Sequence, residues 1–127
     1  MKRSPLFGAP DESIWVGVLR LQFRVPGARS LKDKRRVVAQ MKDRIAARHK
    51  VSVAEVGWLE EHVRGVVAVS VVGNDAQVLR SMLDTIVHGV GSWSEALIED
   101  ASIEVMRPWN ESAAERYNAP SRGRHEE

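Results

Sequence analysis

Alternating apolar and polar residues near the start of the chain predict a long first strand. Residues 14–25 read IWVGVLRLQFRV. One strand face carries mainly apolar side chains and the other carries polar ones: Trp15, Leu19, Leu21 and Phe23 against Arg20, Gln22 and Arg24. Pro26 and Gly27 follow and end the strand, because proline and glycine favour a turn.

The next segment repeats apolar residues at helical spacing and predicts an amphipathic first helix. Its apolar stripe consists of Leu31, Val37, Val38, Met41, Ile45 and Ala46. Ser30 is a natural N-cap, and Asp33 stands three residues later in the capping-box position. The start of this helix is therefore well marked, and one side of it is expected to lie on a core.

Three further strands and a second helix are predicted from the rest of the chain. Residues 51–58 and 62–72 are rich in valine, and the short linker between them predicts an antiparallel hairpin. Gly73, Asn74 and Asp75 then offer N-caps for a helix that is expected to stop near Gly91. Alternation over residues 97–107 predicts the last strand, and Pro108 ends it.

This order of elements predicts a ferredoxin-like βαββαβ sandwich of the α+β class. Right-handed crossovers give a four-stranded antiparallel sheet in the order 4-1-3-2, with two helices on one face. The domain is expected to span residues 13–107, between a flexible N-terminal arm at residues 1–12 and a polar, disordered tail at residues 108–127. Apolar residues on the second sheet face predict self-association as a homo-oligomer: Val16, Val18, Val66 and Val72.

The composition is that of an ordinary soluble protein with a single domain. The chain has 127 residues, of which 43% are apolar and 28% charged. It has no cysteine, so disulfides, thiolate metal sites and cysteine nucleophiles are excluded. Pro5, Gly8 and Pro10 interrupt any apolar run long enough for a signal peptide or a membrane helix. A cytoplasmic protein without a membrane partner is expected.

Positive charge is concentrated on the predicted first helix. Residues 29–50 hold nine Lys or Arg against two acids, a net of +7, whereas the whole chain is only +2. This asymmetry indicates an anion-binding face, and the alternative is a solvated helix surface. The cations expected to contact phosphates are Arg29, Lys32, Lys34, Arg35, Arg36 and Lys42. Replacing residues 34–36 by glutamine is expected to leave the fold intact, because the apolar stripe is untouched.

Three stretches of the chain resemble the YlxP-like family of small bacterial proteins, a domain of unknown function: VGVLRLQFRVPGARSLKDKRRVV, VSVAEVGW and VAVSVVGNDAQ. The resemblance covers about residues 14–107 and is strongest in SLKDKR and VSVAEV. The family pattern has glutamate where this chain has Asp33, which keeps the charge. The resemblance implies a ferredoxin-like fold and a setting among translation and ribosome-maturation genes, and it implies no catalytic residue.

Candidate catalytic and metal-binding residues are scattered. The four histidines lie in separate elements without the spacing of a metal site: His49, His62, His88 and His125. Glu55 is expected to be a partly buried carboxylate that the basic helix neutralises, in preference to a catalytic base. No glycine-rich phosphate loop precedes a helix. We therefore expect no enzyme activity, no cofactor and no metal.

Two functional hypotheses remain from the sequence. The first is an RNA-binding or ribosome-associated protein whose basic helix contacts phosphates. The second is a self-associating interaction or regulatory module that assembles through its open sheet face without nucleic acid. Base stacking on the sheet is disfavoured, because Trp15 and Phe23 lie on the core face. Trp58, Trp93 and Trp109 are expected at the core edge, with a role as exposed partner anchors as the alternative.

Overall fold

The computed structural model describes residues 8–109. Within them the elements follow in the order β1 (Trp15–Arg24), α1 (Leu31–Arg48), β2 (Ser52–Gly57), β3 (Arg64–Gly73), α2 (Ala76–Trp93) and β4 (Leu97–Met106). The strands form one antiparallel sheet in the order β2-β3-β1-β4. The predicted ferredoxin-like α+β fold and its strand order are confirmed. Element ends differ from the predicted ones by two residues or fewer, as at α2, which continues past Gly91 to Trp93.

Both helices pack on the same face of the sheet. The buried cluster combines residues of β1, β3 and the two helices: Leu19, Leu21, Phe23, Val67, Val69, Val71, Val37, Val38, Met41, Ile45, Leu79, Leu83, Ile86 and Val90. Two glycines make room for large side chains in this layer. A Cβ on Gly65 would lie 2.5 Å from Cζ of Phe23, and one on Gly17 would lie 2.9 Å from Cδ1 of Leu83. The opposite sheet face carries no helix of the described chain.

The predicted N-caps begin both helices. Ser30 Oγ accepts a hydrogen bond from the Asp33 amide at 3.1 Å, and Asp33 Oδ2 accepts one from the Arg29 amide at 2.9 Å. The return bond thus reaches the residue before the cap, where a standard capping box uses the cap itself. Asp75 Oδ1 accepts from the amides of Gln77 and Val78 at 2.9 and 3.3 Å. Polar caps therefore satisfy the free amides that start α1 and α2.

Part of the predicted arm belongs to a hydrogen-bonded turn. The amides of Gly8 and Ala9 both donate to Glu12 Oε1, at 3.1 and 3.0 Å. The remainder of the arm, residues 1–7, and most of the predicted tail, residues 110–127, lie outside the described residues. Neither α1 nor α2 combines the length and apolar character that crossing a membrane requires.

Candidate nucleic-acid interface

Charge is divided unevenly between α1 with its flanks and the rest of the described chain. Residues 29–50 hold nine cations and two acids, a net of +7, whereas residues 8–28 and 51–109 together hold five cations and eleven acids, a net of −6. On the open sheet face the β1 arginines are already paired. Arg20 Nη1 lies 3.3 Å from Asp100 Oδ2, and Arg24 Nε lies 3.6 Å from Glu99 Oε2. The cationic surface of the described molecule is therefore α1.

Four of the six predicted phosphate contacts keep their charge available to solvent. Arg29, Lys32 and Arg35 are exposed, and Lys42 is half-buried. Within residues 8–109, none of these four forms an ion pair. Arg36 is also exposed, but its Nη1 lies 3.3 Å from Glu95 Oε2. Because both members of that pair are solvent-exposed, the pair contributes at most about 1 kcal/mol and leaves Arg36 able to exchange partners.

Lys34 does not belong to this surface, which corrects the prediction that it contacts phosphates. Its side chain is fully buried, and Nζ donates hydrogen bonds to the carbonyls of Trp58 at 2.7 Å and Arg64 at 3.1 Å. Nζ also lies 3.0 Å from Glu55 Oε2. The expectation that glutamine can replace it without cost to the fold fails for the same reason. The signal was present in the sequence, since Lys34 precedes Val38, Met41 and Ile45 at stripe spacing.

The Lys34 ammonium group fixes the hairpin between β2 and β3. Trp58 has a φ of 49°, the one left-handed non-glycine residue of the described chain, and its carbonyl accepts from both Lys34 Nζ and the Glu61 amide. Glu55 Oε2 touches Nζ but accepts no hydrogen bond, so this contact is ionic and poorly aligned. As expected from the sequence, a cation of the basic helix lies against this carboxylate.

Five residues at i, i+4 spacing form a row along α1 that we call the arginine ridge: Lys32, Arg36, Gln40, Arg44 and Arg48. Arg44 and Arg48 contribute to the net charge of +7 but are not among the predicted phosphate contacts. The repeated spacing of four was the available signal. Arg44 Cζ lies 4.6 Å from the ring centroid of Trp93, at the end of α2, within cation–π distance.

Three neighbouring cavities follow the arginine ridge between α1 and the elements beside it. The first, of about 180 Å³, is lined by Arg36 and Glu95. The second, of about 480 Å³, is lined by Arg44 and Trp93, and these two residues also line a third of about 70 Å³, together with Arg48. Val37 is shared by the first two cavities. Each cavity thus shares a lining residue with the next, and we call the three together the ridge groove.

The predicted core-edge position holds for Trp93, which packs against the core, but is wrong for Trp58 and Trp109, which are exposed. Trp15 packs against the core, with Arg107 Cζ 4.8 Å from its ring centroid. Trp58 is exposed, with Arg64 Cζ 5.4 Å from its ring centroid, and Trp109 is exposed as well.

In residues 8–109, no three histidine or acidic side chains gather as a metal ion would require.

Residues 16–103 match the family described as "Protein of unknown function (DUF503)". The chain belongs to the DUF503 family. No curated protein matches it. Two solved structures similar to this DUF503 protein are de novo designs. Foldit4 is 11% identical over 75% of this chain and 98% of its own, with a TM-score of 0.46. Ferredog-Diesel is 10% identical over 84% and 94%, with a TM-score of 0.39.

The part of the DUF503 protein that matches the family contains the whole candidate interface. It runs from Val16 in β1 to Ile103 in β4. It therefore includes α1, the Lys34–Glu55 contact and Trp93, and it excludes Trp109.

Proposed function

We propose that this DUF503 protein is an RNA-binding protein of the cytoplasm that contacts phosphates through the exposed cations of α1. The observation that carries the proposal is the net charge of +7 over residues 29–50. Three cations of this segment, Arg29, Lys32 and Arg35, are exposed and form no ion pair with an acid of the described chain. Lysine and arginine contacts to phosphate supply affinity and orientation without reading base sequence. The role is that of a binding protein and not of an enzyme.

The position of these cations along α1 supports a functional explanation for them. Lys32 and Arg35 lie in the first turns of the helix, where the amino-terminal end of the helix dipole already presents positive charge. Of the two acids between residues 29 and 50, Asp33 lies among these cations. A solvated surface that served stability alone would favour acids here. Binding an anion offsets this repulsion.

RNA of the ribosome is the RNA we propose. The resemblance of SLKDKR and VSVAEV to the YlxP-like family supports it, because that resemblance implies a setting among translation and ribosome-maturation genes. Phosphate contacts suit ribosomal RNA, which presents phosphates both in its helices and in its single-stranded loops.

The proposal is tested by measuring the affinity for a ribosomal RNA fragment over a range of salt concentrations. Each phosphate contact releases counterions, so the logarithm of the association constant should fall linearly with the logarithm of salt, by about 0.7–0.9 per contact. Four to five contacts, as the exposed cations of α1 provide, predict a slope of about −3 to −4.5. Affinity that does not change with salt would contradict phosphate binding.

A second candidate function is self-association through the open sheet face. Strand register places Val16 directly between Val72 and Met106, one residue on each of three adjacent strands. Val72 is 69% exposed and Met106 is 37% exposed. Ser52, Ala54, Ser70 and Ala68 continue this face over β2 and β3 without a charge.

A second copy of the chain is the partner that suits this face. The β1 arginines are already paired with Asp100 and Glu99 of β4. An identical face could therefore cover the apolar row formed by Val72, Val16 and Met106 without leaving these arginines unpaired.

A further inference from the structure

We propose that the ridge groove binds single-stranded RNA and that its central cavity holds one unpaired nucleobase. This inference rests on the proposed RNA binding and adds the kind of RNA and the residues that hold it. The central cavity, of about 480 Å³, has the volume of a small-molecule site. It lies directly beside the arginine ridge, so a strand lying on the ridge has a base within reach of the cavity.

Stacking is provided by the contact between Arg44 and Trp93. Both residues line the cavity, and the guanidinium carbon lies 4.6 Å from the indole centroid. Guanidinium planes and aromatic rings are the surfaces on which proteins stack unpaired bases. The indole, packed against the core, holds the guanidinium in place, so the stacking surface is formed before RNA binds.

The polar lining of the cavity favours a base over a phosphate. Gln40, Asp43 and Ser94 supply an amide, a carboxylate and a hydroxyl group. The Asp43 carboxylate repels a phosphate at this position, whereas it accepts hydrogen bonds from the N–H groups of a base edge. The phosphates are therefore assigned to the solvent-exposed guanidinium groups of Arg36 and Arg48 on the ridge, outside the cavities that Asp33, Asp43 and Glu95 line, and the base to the central cavity.

Glu95 is the anionic partner of Arg36 at one end of the groove. Its carboxylate lies 3.3 Å from Arg36 Nη1, and both side chains line the same small cavity. An incoming phosphate replaces one anion by another, so the exposed Arg36 gains a new partner without a large desolvation cost.

A duplex cannot occupy the central cavity, because its bases are stacked and paired inside the helix.

The test compares Arg44→Lys with Arg80→Lys in the full chain. Lysine keeps the charge but lacks the planar fork, so Arg44→Lys removes stacking and leaves the number of cations unchanged. The probes are a single-stranded RNA 12-mer and the duplex of the same sequence. We expect Arg44→Lys to weaken single-strand binding roughly tenfold and to leave duplex binding and the salt slope unchanged. Arg80→Lys, at an exposed cation of α2 outside the proposed interface, should change neither.

Each other outcome is decisive. Equal single-strand affinity for wild type and Arg44→Lys would overturn the nucleobase site while salt-dependent binding of both proteins kept the proposed function. Equal losses for the single strand and the duplex would assign Arg44 to phosphate contact alone and also overturn the site. Failure of the wild-type protein to bind either RNA would refute the proposed function itself. Unfolding midpoints of both variants within a few degrees of wild type establish that a loss arises at the site.

Discussion

The ammonium nitrogen of Lys34 lies 3.0 Å from Oε2 of Glu55 and joins α1 to the edge strand β2. The same nitrogen donates to the carbonyls of Trp58 and Arg64, on the two sides of the hairpin that follows β2. One buried cation of the basic helix thus fixes the helix against the sheet, while Lys32 and Arg35 on the same turns face solvent. Neighbouring cations of one segment have separate roles.

We predict that Lys34→Met destabilises the protein by about 3 kcal/mol, because it leaves Glu55 without its counter-charge and removes a hydrogen bond from each of the Trp58 and Arg64 carbonyls. Urea unfolding measures the change in free energy. Lys32→Met is the matched control on the exposed side of α1 and should change it by less than about 0.5 kcal/mol. A Lys34→Met protein as stable as this control would show that the buried contact contributes nothing.

The double variant Lys34→Met with Glu55→Leu should recover part of that loss. Buried ion pairs are often replaced by apolar pairs at little cost, whereas a single buried charge is left uncompensated. The coupling is obtained from the double-mutant cycle of the two positions. Losses that simply add would mean that Lys34 acts through the carbonyls alone.

Gly65→Ala should destabilise the protein by about 1–3 kcal/mol, because the added Cβ would lie 2.5 Å from Cζ of the buried Phe23 ring.

Gly91→Ala should instead increase the free energy of unfolding. That position lies in α2, and a Cβ added there would meet no neighbouring side chain within 4 Å, so alanine should stabilise the helix by about 0.5–1 kcal/mol. Thermal unfolding measures the stability of both variants. Equal changes in the unfolding midpoint for Gly65→Ala and Gly91→Ala would contradict the close contact between the Phe23 ring and Gly65.

Glu95→Gln should strengthen RNA binding by roughly threefold, because it releases Arg36 from its surface ion pair and removes one negative charge from the ridge groove. Fluorescence anisotropy with a labelled RNA measures the dissociation constant. Glu60→Gln, in the hairpin between β2 and β3, is the control for net charge alone. An equal gain in RNA affinity for Glu95→Gln and Glu60→Gln would show that only the net charge matters. It would contradict a contact between Arg36 and RNA.

If the open sheet face mediates self-association, Val72→Lys should weaken it at least about tenfold, since the interface would then bury an unpaired charge. Sedimentation velocity over a range of protein concentrations measures the dimer population. Val78→Lys places the same charge on another exposed valine, in α2 and away from that face, and should change nothing. A wild-type protein that stays monomeric at high micromolar concentration would refute the second candidate function.

Local patterns predicted the fold well because each element carries its own signal. Period-two alternation defined β1 and β4, and Ser30 and Asp75 accept the capping bonds expected of them. The candidate interface was only partly predictable. Lys34 was assigned to the surface by its charge, although its spacing placed it in the apolar stripe.

The ridge groove depends on tertiary packing and had no signal in any one segment. Trp93 comes from α2, Glu95 follows it, and Arg36 and Arg44 come from α1. The distance between these parts of the chain is set by how the two helices pack on one sheet face. Helical spacing could identify the arginine ridge, but not the surface opposite it.

The most direct test of RNA binding through α1 is the salt dependence of affinity for the double variant Lys32→Gln with Arg35→Gln. Both residues are exposed, so the fold is expected to be retained, and each phosphate contact removed should reduce the steepness of the salt dependence by about 0.7–0.9. Arg80→Gln, an exposed cation of α2, should leave it unchanged. A flatter slope and weaker binding for the double variant alone is the predicted result. An unchanged affinity and slope in the double variant would contradict RNA binding through α1 and leave the helix a solvated surface.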